Sequence, residues 1–244
     1  MPPEHWRQGL PHLTGARLYL REVVATDAVS LFELITQDPA VQRHISTPPP
    51  SIVAYQGFIA WSHRQRSEGQ SICFAVVPHG VEHAIGIFQV RALGLDFSVA
   101  EWGFALGSAF WSTGIFEEAA ALVADFAFNT LGTFRLEGRA VTTNGRGNGA
   151  LYKLGASEEG ILRQGLERDD LQHDQFMWSL LAEEWPQQPV ERGRFSEATA
   201  KKKIDLAIAE IQCHLFKNAR LESSSKPHLH PFFVSGCSLG PGTR

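Results

Sequence analysis

The run Leu106-Gly-Ser-Ala-Phe-Trp-Ser-Thr-Gly-Ile-Phe-Glu-Glu-Ala-Ala120 carries one apolar segment through a turn at Gly114 and into a second segment with helical spacing. A strand that passes through a glycine turn into a helix presents free backbone N–H groups at the positive end of a helix dipole. That is the physical requirement for holding a phosphate or pyrophosphate. Taken alone, the same pattern also fits an ordinary strand-to-helix connection. A second run, Leu136 to Ala156, has a related design: a strand ends at Asn144, a glycine-loaded turn follows, and a short helix stops at Gly155. Asn144 at a strand exit offers an amide donor and an acceptor to a ligand's own amides, and Arg146 is placed to meet a phosphate. The plainer alternative is that Asn144 only caps the short helix.

The elements that must position these residues are readable from periodicity. Residues 13–23 alternate as a half-buried strand with Leu18 and Leu20 on one face. Thr26 and Asp27 are expected to cap a helix bearing Ala28, Leu31, Phe32 and Ile35 that stops before Pro39. Prolines 48–50 make a stiff connector. A second helix follows with Tyr55, Phe58, Ile59 and Ser62 on one face, and Gly69 ends it. Strands are expected at 71–77, 83–91 and 99–106, then a helix from about 115 to 130, a strand at 134–142, a helix around 146–154, and strands near 156–163 and 173–181. This order predicts an α+β fold, a mixed and mostly antiparallel sheet with helices on its faces. Residues 1–12 read as a tail and 13–185 as one domain. In 186–244 a Pro186-Gln-Gln-Pro189 linker leads into an amphipathic helix over 201–221, and the end of the chain is expected to be disordered or loosely docked.

Composition narrows the function. A chain of 244 residues with 43% hydrophobic residues can bury a sizeable core, and its net charge of -4 gives no cationic field for duplex nucleic acid, so no DNA partner is expected. Cys73, Cys213 and Cys237 are widely spaced and include no C-x-x-C pair, which points to reduced thiols and no zinc cluster. No run reaches membrane-spanning length and Met-Pro-Pro-Glu-His-Trp is not a leader, so the expected location is cytoplasmic. His228-Leu-His230 has metal-like spacing without a nearby carboxylate or thiol, and no metal is expected.

Together, the strand–turn–helix and the later strand–Asn–helix–Lys-Leu-Gly resemble the GNAT superfamily of acyl-CoA-dependent N-acetyltransferases, most closely its RimJ/RimL-like branch. The resemblance covers residues 13 to about 183. It implies a GNAT-type sheet and acetyl-CoA as co-substrate. The family's pyrophosphate loop falls on Trp111, Ser112, Thr113, Gly114, Ile115 and Phe116, where Phe116 replaces a small residue. The pantetheine arm is implied to add like a strand against Phe104, Ala105 and Leu106, with a backbone N–H near Leu106 meeting the oxyanion. The family's Asn-x-x-Ser-x-x-x-Leu-x-Lys-Leu-Gly run matches Asn144, Leu151, Lys153, Leu154 and Gly155, with Gly147 where the pattern has serine. Leu151 occupies the position at which other members carry a tyrosine acid, and Tyr152 is one residue later.

The implied chemistry is attack of a deprotonated amine on a thioester, which needs proximity and one base. Glu101 in Val-Ala-Glu-Trp-Gly and Glu137 in Leu-Glu-Gly-Arg lie on strands that splay apart in this fold, and either is expected to activate the amine; a structural ion pair is the alternative for both. His44 and His63 are weaker acceptor-site candidates, read as solvated surface histidines. The resemblance implies as acceptor a protein N-terminus or a small amine such as an antibiotic or polyamine, and a monomer or homodimer is expected. A GNAT-fold module that senses acyl-CoA without turnover is the alternative, since neither a serine nor a tyrosine acid is in register.

Overall fold

A computed structural model describes residues 4–168, 170–186, 202–206 and 208. Its centre is one sheet of eight strands among the described residues: β1 (Leu13–Thr14), β2 (Leu18–Glu22), β3 (Ser71–Pro78), β4 (Gly86–Ala92), β5 (Val99–Leu106), β6 (Arg135–Val141), β7 (Ser157–Arg168) and β8 (Leu171–Leu181). The spatial order is β1-β2-β3-β4-β5-β6-β8-β7. All neighbours are antiparallel except β5 and β6, which run parallel. The mostly antiparallel α+β sheet expected from periodicity is therefore present.

Alternation along β3 shows how the sheet separates two cores. Ile72, Phe74 and Val76 point into one, shared with Leu18, Leu20 and the helix α4 (Ile115–Phe126). Cys73, Ala75 and Val77 point into the other, shared with α1 (Ala28–Leu31) and α3 (Ile52–Ser67). Burial on both faces explains why β3 is apolar throughout. Ser51 caps α3 by accepting from the Ala54 N–H at 3.1 Å, and Tyr55, Phe58, Ile59 and Ser62 form its buried face as the spacing predicts.

The first helix departs from expectation. Asp27 does not cap it; its carboxylate is fully buried, takes two bonds from Arg21 at 2.7 Å, and also accepts from the Val24 and Ala84 N–H groups. The helix passes from a tight 3-10 turn at Ala25–Asp27 through α1 into a wide π turn at Phe32–Thr36. Pro39 then starts a further short helix, α2 (Pro39–Gln42), which the sequence reading omitted. Asp38 caps α2 by accepting from the Ala40 N–H, and proline occupies the first turn, where it needs no N–H partner.

Helix α4 likewise ends in a π turn, Ala127–Leu131, closed by Gly132, and α5 (Gly145–Leu154) is closed by Gly155. Strands β7 and β8 run longer than predicted, forming a hairpin whose Arg168 guanidinium donates to the Gln42 carbonyl of α2. Of the helix expected over 201–221, residues 202–206 and 208 are helical, with Ile204 buried against the first core. The Pro186–Pro189 linker beyond residue 186, the remainder of that helix and the C-terminal tail lie outside the described residues.

Candidate active site

Strands β5 and β6 pair over only four rungs, Val99↔Arg135 to Trp102↔Gly138. Beyond these rungs β5 stays on β4 as far as Leu106, and β6 stays on β8 as far as Val141. The two strands part, and a cavity of about 320 Å³ opens at the gap. Phe104, Ala105 and Leu106 line it from β5, and Arg139 and Ala140 from β6. Trp111, Ser112 and Phe116 come from the turn before α4, and Asn144, Arg146 and Lys153 from around α5.

The turn is tightly fixed. Gly114 has φ +81°, and a Cβ there would lie 2.5 Å from Arg17 Nη1. The left-handed backbone calls for glycine. Arg17 donates from Nη1 to the Thr113 carbonyl at 3.1 Å and from Nε to Glu118 at 2.8 Å, while its backbone N–H bonds the other Glu118 oxygen at 3.0 Å. Arg146 donates to Ser112 Oγ at 2.9 Å and lies 5.0 Å over the Trp111 ring. The Trp111 indole N–H donates to the Leu106 carbonyl at 2.9 Å. Phe116 packs edge-on against Phe104 with ring centroids 4.7 Å apart, giving the cavity an apolar wall. Thr113, Gly114 and Ile115 sit behind this surface, buried and not lining it.

Asn144 both lines the cavity and caps α5, accepting from the Gly147 N–H at 2.9 Å. That cap accounts for Gly147, since a Cβ at this position would lie 2.5 Å from Asn144 Nδ2. Tyr152 is 73% exposed and does not line the cavity.

The two glutamates are placed differently from the sequence expectation. Glu101 is fully buried, accepts from Arg91 at 2.5 Å and lies 3.5 Å from Arg139 Nε. Cross-strand register puts Arg91 directly opposite it on β4. Glu137 is bound by Arg135, two residues away on the same strand, at 2.8 Å. Neither carboxylate lines the cavity; what β6 sends into it is Arg139. The ion-pair alternative describes both glutamates.

The segment from α2 supplies Val41, His44 and Ile45 to the cavity. Among the described residues, His44 Nδ1 is buried without a hydrogen-bond partner. Burial, and then the charges of Arg43, Arg168 and Arg146, hold this imidazole below its ordinary proton affinity. His63 lies elsewhere, with Nε2 2.7 Å from the Val23 carbonyl oxygen. His44 is therefore a wall residue rather than the solvated surface histidine its sequence context indicated. Arg139 and Glu117 also line the cavity, and no local motif marks either one.

Three of the cavity's lining side chains, Arg139, Arg146 and Lys153, carry positive charge against the single carboxylate of Glu117. This balance suits a polyanionic ligand. Among the described residues there is no group of three His, Cys, Asp or Glu able to hold a metal ion, and no helix is long and apolar enough to cross a membrane.

Comparison with known proteins agrees with this geometry. The chain is 25% identical over 171 residues to "Uncharacterized N-acetyltransferase YoaA" of Bacillus subtilis (strain 168), covering 70% of this chain and 97% of that one. It is 27% identical over 170 residues to "Uncharacterized N-acetyltransferase p20" of Bacillus licheniformis, covering 69% and 95%. In fold it is similar to Mycobacterium smegmatis RimJ in complex with CoA-disulfide, with a TM-score of 0.64 at 21% identity over 78% of this chain and 88% of that one. It is also similar to a ribosomal-protein-S5-alanine acetyltransferase from Vibrio fischeri, with a TM-score of 0.65 at 16% identity over 72% and 99%. The profile of the acetyltransferase (GNAT) domain matches residues 17–157, more than half of the sequence, and the chain belongs to the GNAT acetyltransferase family.

Proposed function

We propose that this protein transfers the acetyl group of acetyl-CoA to a primary amine by direct attack in a ternary complex. The observation that carries the reading is the four-rung pairing of β5 and β6, which opens the sheet onto a cationic cavity bounded by a helix N-terminus. In this reading the Trp111–Phe116 turn and Arg146 take the pyrophosphate, with backbone amides and the α4 dipole supplying most of the attraction. The pantetheine arm lies along Phe104–Leu106, where β5 has no β6 partner and its backbone can pair with the ligand's amides. The thioester carbonyl then sits at the mouth of the splay, and a backbone N–H near Leu106 stabilises the developing oxyanion. Glu101 and Glu137 hold Arg139 and Arg135 in place instead of acting as bases.

A protein N-terminus is the favoured acceptor, supported by the resemblance to the RimJ/RimL-like branch. The test measures thiol release from acetyl-CoA with peptides beginning in Ala, Ser or Met and with small amines, beside calorimetric binding of CoA. Release with at least one peptide is the expected result. The absence of a serine at 147 and of a cavity-lining tyrosine favours a second reading, an acyl-CoA sensor. Tight CoA binding with no accepted amine would select the sensor, and no CoA binding would reject both.

A further inference from the structure

We propose that His44 is the catalytic proton carrier of this site, taking the proton from the attacking amine and returning it to the departing thiolate. The inference rests on the acetyl-transfer reading above and assigns its missing acid and base to one side chain. His44 lines the cavity from the segment that follows α2. Of its two ring nitrogens Nδ1 is closed to solvent and without a partner among the described residues, which leaves Nε2 as the nitrogen a ligand in the cavity can reach. The imidazole is thus held at the cavity with one nitrogen enclosed and the other left for proton exchange with a ligand.

The cavity is lined by one carboxylate, Glu117 in the first turn of α4, and the other candidates are occupied. Glu101 and Glu137 are bound by arginines, Gly147 bears no side chain, and Tyr152 points away into solvent. Lys153 and Arg139 line the cavity as hydrogen-bond donors. His44 is different. The charges that shift it are those of Arg43 beside it in the chain, Arg168 from the end of β7 and Arg146 from α5, all positive, while Glu117 lines the same cavity from α4. These charges and its burial keep the imidazole neutral at physiological pH, so its lone pair is available. The same surroundings make the imidazolium, once formed, quick to give its proton up.

The neutral amine nitrogen attacks the thioester carbonyl carbon. A C–N bond forms, the C–S bond breaks, and sulfur leaves with the bonding electron pair. The surplus proton on nitrogen passes to His44, and from His44 to the thiolate, yielding the amide, the CoA thiol and the neutral imidazole again. A thiolate, with a reference pKa of about 8.5, outcompetes a depressed imidazole for that proton, so the second transfer runs downhill.

The test compares wild type, H44A and H44Q by thiol release from acetyl-CoA with the peptide and small-amine panel, from about pH 5.5 to 9. Calorimetric CoA binding is measured in parallel. General acid–base catalysis of this kind predicts a loss of about a hundredfold in kcat for both variants, with CoA affinity held within about twofold. The low-pH fall of kcat/KM should disappear, and free imidazole should restore rate to H44A. A kcat within about threefold of wild type, or a loss that leaves the low-pH limb in place and ignores imidazole, overturns the proposal. If wild type binds CoA yet releases no thiol with any amine, the transfer reading fails and takes this inference with it. Turnover by wild type that H44A fully retains defeats the inference alone.

Discussion

The turn before α4 and the segment after α2 both line one cavity, yet they are held in opposite ways. At the turn, Arg17 bonds both Thr113 and Glu118, Arg146 bonds Ser112, and Trp111 bonds Leu106. In the segment after α2, His44 has a buried nitrogen with no partner among the described residues. The first wall is complete without a ligand and suits a constant one. In the second, His44 lines the cavity with no described residue bonding its Nδ1. A polyphosphate is met by backbone and arginine geometry that tolerates little variation, whereas proton transfer needs a group whose hydrogen bonding is not already spent.

The comparison can be broken most forcefully at Glu101, which belongs to neither wall but supports Arg139 between them. E101Q removes one partner of a buried ion pair, and urea unfolding should show a loss of about 3 kcal/mol. The low-pH limb of kcat/KM should survive in the folded fraction. Near-normal stability with that limb abolished would make Glu101 the base after all. R146M should raise the KM for acetyl-CoA by about tenfold, roughly 1.4 kcal/mol, with little change in kcat. It also couples the two walls. Arg146 is one of the charges depressing His44, so its removal should raise the imidazole's proton affinity and move the low-pH limb to higher pH.

G147S tests whether the glycine is a lost acid or a consequence of the Asn144 cap. The new Cβ displaces the asparagine side chain, and thermal unfolding should report a cost of about 1 kcal/mol, with no gain in kcat. The smallest effect is expected far from both walls. Arg135 and Ser179 hold the Glu159 carboxyl at about 2 against an ordinary 4.5. A carboxyl depressed on folding stabilises above 4.5, and that contribution fades as pH falls toward 2. Because Glu159 is largely exposed, E159Q should remove less than about 1 kcal/mol, seen only as a shallower acid limb of stability.

Most of the sheet was legible because its periodicity is local. Leu18 and Leu20 share a face, and the face of α3 reads directly from Tyr55, Phe58, Ile59 and Ser62. Three features were not. The first helix hides its 3-10 and π turns because Asp27 is drawn away from capping by Arg21 and the Ala84 N–H, a contact 57 residues distant. Helix α2 was lost because Pro39 was read only as a stop. Asp38 followed by Pro39 is also a start signal, and it is this short helix that delivers the chain to His44. The glutamates were misplaced because their partners are a matter of fold: Arg91 reaches Glu101 through cross-strand register, which no spacing along the chain reveals. The turn at Trp111–Gly114 was legible since its residues are contiguous; the part of the cavity lined by His44 and Arg139 was not, since α2 and β6 bring these residues together from distant parts of the chain.

The Arg17–Glu118 bond joins positions 101 residues apart. Closing a loop of that length carries an entropic cost on the order of 4 kcal/mol, which must be met before the contact returns anything. The turn from Thr113 to Gly114 takes its final path only when the N-terminal ribbon β1–β2 has docked beside α4. During refolding, helical and strand signals should therefore recover ahead of CoA binding, and competence for the ligand should arrive with the slowest phase. The site is in this sense a late product of assembly, a checkpoint that only a chain folded from its first strand onward can pass.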